Sequence, residues 1–507
     1  TPTQLASAIA EALNHRLSGG GSAEAQLLHL LAHKELLLVL DNFEHLLDAA
    51  DFLSLLLAQT TAVKLLLTSR QAVALQEEWR FDLPELPLPD AQSAEALADN
   101  SAVQLFLQSA RRAASTLILT ESDYPAVAHI CRLVGGVPLG IELAASWTRL
   151  LSCAEIAQEI EKSLDFLTVT LRNLPPRHRS LRAVFDYSWA LLTANEQQIL
   201  ARLSIFSGGF TREAAAQIAE ADLPQLSALA DRSLVQRTAV GRYNLHNIIR
   251  QYASDHLQAD AATYEATARQ HGRYYLQWLA DQDADLRGAR QKNGLTAVAK
   301  ELANIRAAWQ WGTVQQSYTW LHRAAFALFY FFELRGLIHE GETLFRLTAE
   351  ALQANATAER EHQITIWAMR TNQAYFLHRL GQVNVAHDLL QQAVSQLEVL
   401  GEEANLSYSL RYLGLTTWIN GRFDEAFPLL QKSCDLAARS HDQWGVAISQ
   451  AYLGVNMRGQ GRLAEALTQL TAVLPLTKAL GDLRLIAYTL LATGRVNLYA
   501  GNLAEAN

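Results

Sequence analysis

The chain has 507 residues, half of them apolar, and a net charge of −9. Its length predicts about three domains, and its acidic balance argues against a general affinity for nucleic acid or anionic membranes. Its three cysteines, Cys131, Cys153 and Cys434, show no C-x-x-C spacing. That excludes a disulfide framework or Cys-based zinc site and fits a reducing, cytoplasmic setting. No apolar run reaches the ~18 residues of a membrane span.

In chain order, residues 4–14 read as a short amphipathic helix, Gly19 to Ser22 as a loop, and Ala23 to His33 as a second helix. Two apolar runs follow. Leu36-Leu37-Leu38-Val39-Leu40 ends in Asp41, and Val63-Lys64-Leu65-Leu66-Leu67 ends in Thr68-Ser69-Arg70. Glu44 to Ala58 between them reads as a helix. Strand, helix, strand at this spacing is a βαβ unit, with parallel strands covered on both faces. Ligands of such sheets gather at the carboxyl ends of the strands, where Asp41 and Arg70 fall. An apolar strand ending in Asp can hold Mg²⁺ in a nucleoside triphosphatase, although Asp41 can equally begin the next helix as a cap. The G-x-x-x-x-G-K-[ST] phosphate loop occurs nowhere in the 507 residues. Gly19-Gly20-Gly21-Ser22 is no substitute, having no strand before it and no Lys after it.

A short strand is expected at Trp79 to Leu83, then a domain exit at Pro84, Pro87 and Pro89. Residues 100–172 read as helical. Within them Cys131 to Ala145 is a helix, a Gly135-Gly136 break, and a new helix with Pro138 in its first turn. Residues 176–260 read as helices followed by a hairpin, Leu234 to Gln236 and Tyr243 to Leu245, turning at Gly241. Residues 261–345 are helical and aromatic-rich, and Phe326 to Phe332 read as core. From Gly381 a 40-residue repeat sets Gly381, Gly421, Gly461 and Gly501 in phase, with Ala386, Ala426, Ala466 and Ala506, and with Gly414, Gly454 and Gly494. Each period is a helical hairpin that buries its apolar face only by stacking on its neighbours. The small in-phase residues are expected where helices approach closely. The repeat units resemble tetratricopeptide repeats lengthened from 34 to 40 residues.

The motifs resemble, in order, those of the STAND signal-transduction ATPases, the group containing the NB-ARC proteins. LLLVLDNFEHLL resembles the Walker B strand, LLLTSR the sensor strand, and Gly136-Val137-Pro138-Leu139 the G-x-P motif. Leu181 to Ala215 resembles the opening of the winged-helix domain, and Tyr243 to Ala253 its His-containing closing motif. Ser101 to Ala110 and Glu301 to Trp311 also have counterparts. The resemblance implies a mainly α, multidomain chain: part of an α/β P-loop NTPase core (1–90), a helical domain (91–175), a winged helix (176–260), a helical connector with the first solenoid helices (261–360), and an α-solenoid of tetratricopeptide-like repeats (361–507). Under it Asp41 holds Mg²⁺ through water, Arg70 senses the γ-phosphate, Pro138 lies against adenine, and His246 reaches the ADP phosphates to lock a closed state. Asn42 stands where many such ATPases place a second acid, which implies at most slow hydrolysis. Asn247 replaces an Asp found in plant and animal relatives.

The implied function is an ATP/ADP-controlled regulator of the bacterial transcription-factor type. The solenoid would bind a protein or small-molecule inducer, and the ATP state would self-associate. The sequence reads as a fragment that begins after its phosphate loop and ends inside a repeat. This predicts weak nucleotide binding and an exposed apolar face on the last helix. One rival is a nucleotide-independent repeat scaffold. Another is direct DNA binding by the winged helix, against which residues 176–260 set nine arginines, no lysine and eight acids where a reader of DNA needs a basic face.

Overall fold

The computed structural model describes the chain apart from residues 1, 14, 16–21, 42, 44–45, 70–71, 82, 90–96, 114–119, 163–180, 233, 239–240, 356, 503–504 and 506–507. It is mainly helical and divides into two compact units. The first comprises residues 1–205 with 209–264, and the second residues 206–208 with 265–507.

In the first unit, β1 (Glu35–Leu40) and β2 (Ala62–Leu67) pair in parallel with Leu38 opposite Leu65. Helices α1 (Pro2–Ala12), α2 (Ala23–Leu31) and α3 (Ala50–Gln59) cover one face of this pair through Ile9, Leu27, Leu31, Leu53 and Leu56, with Phe43 fully buried among them. Coverage of both faces is not found. Leu37 (57%), Val39 (59%) and Leu66 (53%) alternate outward and stay exposed, because strand side chains point to opposite faces and all three helices lie on one. Helix α3 also starts later than expected, after a 3-10 turn at Leu47–Ala49. The strand expected at Trp79 to Leu83 is absent among the described residues. Trp79, Phe81 and Leu83 are 85% or more exposed, without a ladder partner that would make this segment a strand. Side chains tie the segment down instead: Arg80 Nη1 bonds Asp231 Oδ1 (2.7 Å), and Gln236 Nε2 bonds Glu85 Oε1 (3.2 Å).

A second core is built by α4 (Ser101–Ala113), α5 (Tyr124–Leu133), α6 (Pro138–Ser146) and α7 (Cys153–Lys162) around Phe106, Val127, Ile130 and Ile141. After α8 (Leu181–Ala190) come α9 (Ala194–Leu203), α10 (Arg212–Ala219) and α11 (Leu223–Asp231). Both α9 and α11 begin with reciprocal capping boxes, Thr193 with Glu196 and Asp222 with Gln225. A two-residue hairpin, β3 (Gln236–Arg237) with β4 (Tyr243–Asn244), turns through Gly241 at φ +78° and runs into α12 (Asn247–Ala259). The hairpin stands within two residues of its expected place. Ile248 and Tyr252 of α12 belong to the same core as α4–α7, joined by Phe185 and Trp189.

The second unit takes in most of α13 (Ala261–Asp281), then α14 (Gln291–Val314), α15 (Tyr318–Arg335), α16 (Ile338–Ala354), α17 (Arg360–Arg379) and α18 (Val383–Leu400). It continues as α19 (Glu403–Ile419), α20 (Phe423–Arg439), α21 (Gln443–Gly459), α22 (Leu463–Leu480) and α23 (Leu483–Ala500). These helices stack as antiparallel hairpins, and the 40-residue register is visible in the packing. Gly381, Gly421, Gly461 and Gly501 close turns at φ +76° to +81°, where a side chain is strained. A Cβ on Gly414 would lie 2.7 Å from Leu430, and one on Gly454 2.6 Å from Leu470. Ala386, Ala426 and Ala466 are fully buried. The hairpins begin well before the repeat becomes legible, since Gly341 of α16 already meets the ring of Phe376 in this way. Phe329, Tyr330, Phe331 and Phe332 are core, each at most 1% exposed. On α23, Leu491, Leu498 and Tyr499 are more than half exposed. No described helix is long and apolar enough to cross a membrane.

Helices far apart in the chain are tied together in this stack by Asp482, which is 0% exposed. Its carboxylate accepts from Gln291 Nε2 (2.9 Å), Tyr330 Oη (2.5 Å), Trp444 Nε1 (2.7 Å) and the backbone N–H groups of Arg484 (3.0 Å) and Leu485 (3.1 Å). Asp482→Ala would leave these buried donors unsatisfied and is expected to cost about 3–5 kcal/mol, read as a lowered urea midpoint with helix content intact before unfolding. Unchanged stability would show that the network is incidental.

His271 is buried, and desolvation holds its pKa down at about 4 against a hydrogen bond to Asn304 that pulls it up. The unfolded chain therefore binds the proton first. Stability is full above pH ~6.5, falls as pH drops toward ~4, and levels off below that, by up to about 3 kcal/mol. In urea melts at pH 7 and pH 4.5, His271→Gln should show a smaller loss than the wild type. Identical losses would refute the assignment.

Candidate functional site

At the sheet end, β1 stops at Leu40 and the chain is held by backbone bonds from Thr68 N to Leu40 O (3.0 Å) and Phe43 N to Thr68 O (2.8 Å). Asp41 is thereby presented, exposed, beside β2, and its Oδ1 accepts a hydrogen bond from the Thr68 hydroxyl. Asp41 is the carboxylate that the family resemblance assigns to Mg²⁺. A single exposed carboxylate holds this ion only together with water and phosphate oxygens, so it fits Mg²⁺ arriving with a nucleotide and not a standing metal site. Among the described residues no group of three or more His, Cys, Asp or Glu could hold a metal. Arg70 and Asn42 lie outside the described residues.

The second group is the turn between α5 and α6. Gly135 and Gly136 are buried with φ +60° and +75°, and they close α5 through Gly135 N to Arg132 O (3.0 Å) and Gly136 N to Cys131 O (3.0 Å). Val137 then turns extended, and Pro138 opens α6 at its first position with its ring exposed. Pro138 fits there because its missing N–H would have no intrahelical partner.

His246 meets this turn. It caps α12, its Nδ1 accepting from Ile248 N (3.4 Å), while Nε2 donates to the Gly135 carbonyl (2.8 Å). These two bonds assign the neutral tautomer with the proton on Nε2. The contact is tight: a Cβ on Gly135 would lie 1.8 Å from Nε2, and one on Gly136 would lie 2.2 Å from Leu86 O. Leu86 N also donates to Gly136 O (3.1 Å), and nearby Asn100 Nδ2 and Arg132 Nη1 hold the carbonyls of Pro87 and Pro89 (2.9 Å each). The exit segment, the G-x-P turn and the His motif thus converge.

Of the residues singled out in the sequence, Asp41 is joined to Thr68, and His246 to the turn that carries Pro138. The sequence reading did not pair His246 with Gly135, nor place Leu86 at the turn. The double glycine was the available signal: two consecutive positive-φ residues in a buried turn leave room for an incoming side chain. Asn247 is the first residue of α12.

His246→Ala removes both a part-buried hydrogen bond and a helix cap, and is expected to cost about 1–2 kcal/mol. Gly135→Ala should cost more, because it adds strain at positive φ and a clash. Hydrogen exchange should show faster opening at residues 134–141 and 247–252 in both variants. Protection unchanged in His246→Ala would show that the contact holds nothing together.

No protein-family model matches the chain. In sequence it is 28% identical over 513 residues to a putative HTH-type transcriptional regulator of Mycobacterium tuberculosis, and equally to its Mycobacterium bovis counterpart, covering 96% of this chain and 55% of each relative. The chain therefore spans about half the length of these curated relatives. An uncharacterised M. tuberculosis protein is 32% identical over 271 residues, covering 51% of this chain and 66% of its own. Among solved structures, the chain is similar to a Pyrococcus horikoshii STAND protein with a tetratricopeptide repeat sensor, at 12% identity and TM-score 0.29, covering 96% of this chain and 76% of that one. It is also similar to tetratricopeptide-like repeats of a Podosopora anserina putative kinesin light chain, at 20% identity and TM-score 0.29, covering 38% and 90%.

Proposed function

We propose that this chain is the switch and sensor portion of a STAND-class regulator of transcription, whose nucleotide state decides between a closed and an open, self-associating form. The observation that carries the reading is the hydrogen bond from His246 to Gly135, 111 residues apart in the chain. It fastens the cap of α12 onto the turn that presents Pro138, and a two-state switch needs a polar contact of this kind that a ligand can break. The name of the mycobacterial relatives supports transcriptional control as the output, exercised through an effector that these 507 residues do not display.

In this reading Asp41 takes the Mg²⁺ that accompanies the nucleotide, Arg70 faces the γ-phosphate, and Pro138 lies against the base. ADP is retained while His246 keeps the closed form, and ATP favours release. Asn42 cannot serve as a general base, so hydrolysis resets the switch slowly and the protein works as a regulator. The hairpin stack supplies the interaction arm. Direct DNA binding is disfavoured, since residues 176–260 set nine arginines against eight acids and α11 carries only Asp231 as a charge.

The test uses the natural full-length protein that contains this sequence. His246→Ala is expected to accelerate ADP release at least tenfold and to raise basal output, while Asp41→Ala abolishes the Mg²⁺ dependence of ATP binding. Chain 1–507 alone should bind either nucleotide weakly by calorimetry. ADP release unaffected by His246→Ala would overturn the lock. Submicromolar ATP binding by chain 1–507 would overturn the assignment of the missing phosphate donors.

A further inference from the structure

The helices of the second unit form an open pocket of about 490 Å³, within the usual range of small-molecule sites. Its charge opposes that of the chain. Arg379, Arg458, Arg484 and Arg495 line it against a single acid, Glu333, in a protein of net charge −9. Tyr375, Tyr452, Tyr488 and Trp418 form its walls.

Polar groups in the cavity are left unsatisfied in a consistent pattern. Glu333 is 3% exposed, and both Arg379 Nη1 and Arg484 Nη2 (2.6 Å) bond the same oxygen, Oε1. Its other oxygen, Oε2, is buried without a partner, as are Trp418 Nε1 and His378 Nδ1. Buried polar atoms are almost always hydrogen-bonded, so three orphans around one cavity mark where a bound molecule would supply partners. Arg484 also holds Tyr375 Oη at 3.0 Å. Arg458 and Arg495 have no carboxylate partner among the described residues, and Arg458 overlies the Tyr499 ring, 5.5 Å to the centroid. The five charged residues come from α15, α17, α21 and α23, so a ligand here would bridge helices far apart in the chain.

We propose that this cavity binds a small organic anion: a carboxylate or phosphate on a flat apolar body. Arg458 and Arg495 take the anionic group through their guanidinium forks, and Tyr452, Tyr488 and Trp418 enclose the body. That this molecule is the effector of the switch rests on the sensor reading above; the site itself does not.

Calorimetry on the intact chain compares 2-naphthoate, 2-naphthyl phosphate and neutral 2-naphthol. At least one anion should bind at a single site at least tenfold more tightly than the naphthol, and the stronger of the two tells carboxylate from phosphate. Arg458→Gln combined with Arg495→Gln should weaken that anion at least tenfold, while Arg439→Gln, outside the cavity, leaves it unchanged. Both lining arginines lie outside the Asp482 network, and unchanged circular dichroism of the double variant would confirm its fold. Equal affinity for the naphthol, no effect of the double substitution, or no anion binding up to about 10 mM would each overturn the site. Nucleotide release measured in the longer protein separates the two ideas: an anion that binds through these arginines without altering ADP release would leave the site standing and remove its role as effector.

Discussion

A single carboxylate determines how the repeat unit closes. Burying Asp482 without compensation would cost several kcal/mol, and its five hydrogen bonds offset that cost only if α14, α15, α21 and the start of α23 are all in place. Neighbouring hairpins in a solenoid specify only local packing. Asp482 adds a contact spanning 191 residues, from Gln291 to the last hairpins. Around it, the Arg287 guanidinium sits 4.8 Å from the Phe326 ring centre and 5.7 Å from that of Trp444, and Gly481 leaves room for the backbone at Ala289. These ties are a property of these few residues and not of the repeat consensus.

That closure also explains the cavity. Tyr330 and Glu333 lie one helical turn apart on α15, Trp444 and Tyr452 two turns apart on α21, and Asp482 and Arg484 together at the start of α23. The donors that satisfy Asp482 and the groups that line the cavity therefore ride on the same helices. Anything that changes the spacing of α15, α21 and α23 changes both. A molecule bound between them has direct mechanical access to these ties.

In the first unit the corresponding constraint is steric. Gly135 and Gly136 occupy positive φ, and neither has space for a side chain, one because of His246 and the other because of Leu86. The turn is a socket for two other parts of the chain. Ile248 and Tyr252, two and six residues beyond His246, are anchored in the core of α4–α7, and Tyr252 Oη is tied to Asp186 (2.7 Å). Burial and that bond push the tyrosine pKa above its ordinary range, so the anchor is uncharged at any physiological pH. The His246 contact is therefore the polar edge of a larger apolar attachment.

Much of this architecture could be read from residue order. Apolar runs ending in Asp41 and Thr68 are parallel strands, since short β-rich segments flanking a helix have few alternatives. The 40-residue phase of Gly and Ala marks the hairpins, because close helix contacts and positive-φ turns admit few other side chains. Pro138 after a double glycine begins a helix. Where the reading failed, the missing information was non-local. Trp79 to Leu83 has strand composition, but a strand exists only with a partner. Leu37, Val39 and Leu66 look like the core of a two-faced sheet, but which face is covered depends on where three helices pack. Repeat phase cannot show that Asp482 meets Gln291, or that Arg458 and Arg495 share a pocket with Glu333, because Gln291 and Glu333 lie before the repeat becomes legible. The sequence determined the elements and their order, through local propensity and periodicity. The tertiary structure alone decided which distant polar groups are buried together, because that depends on how the helices curl.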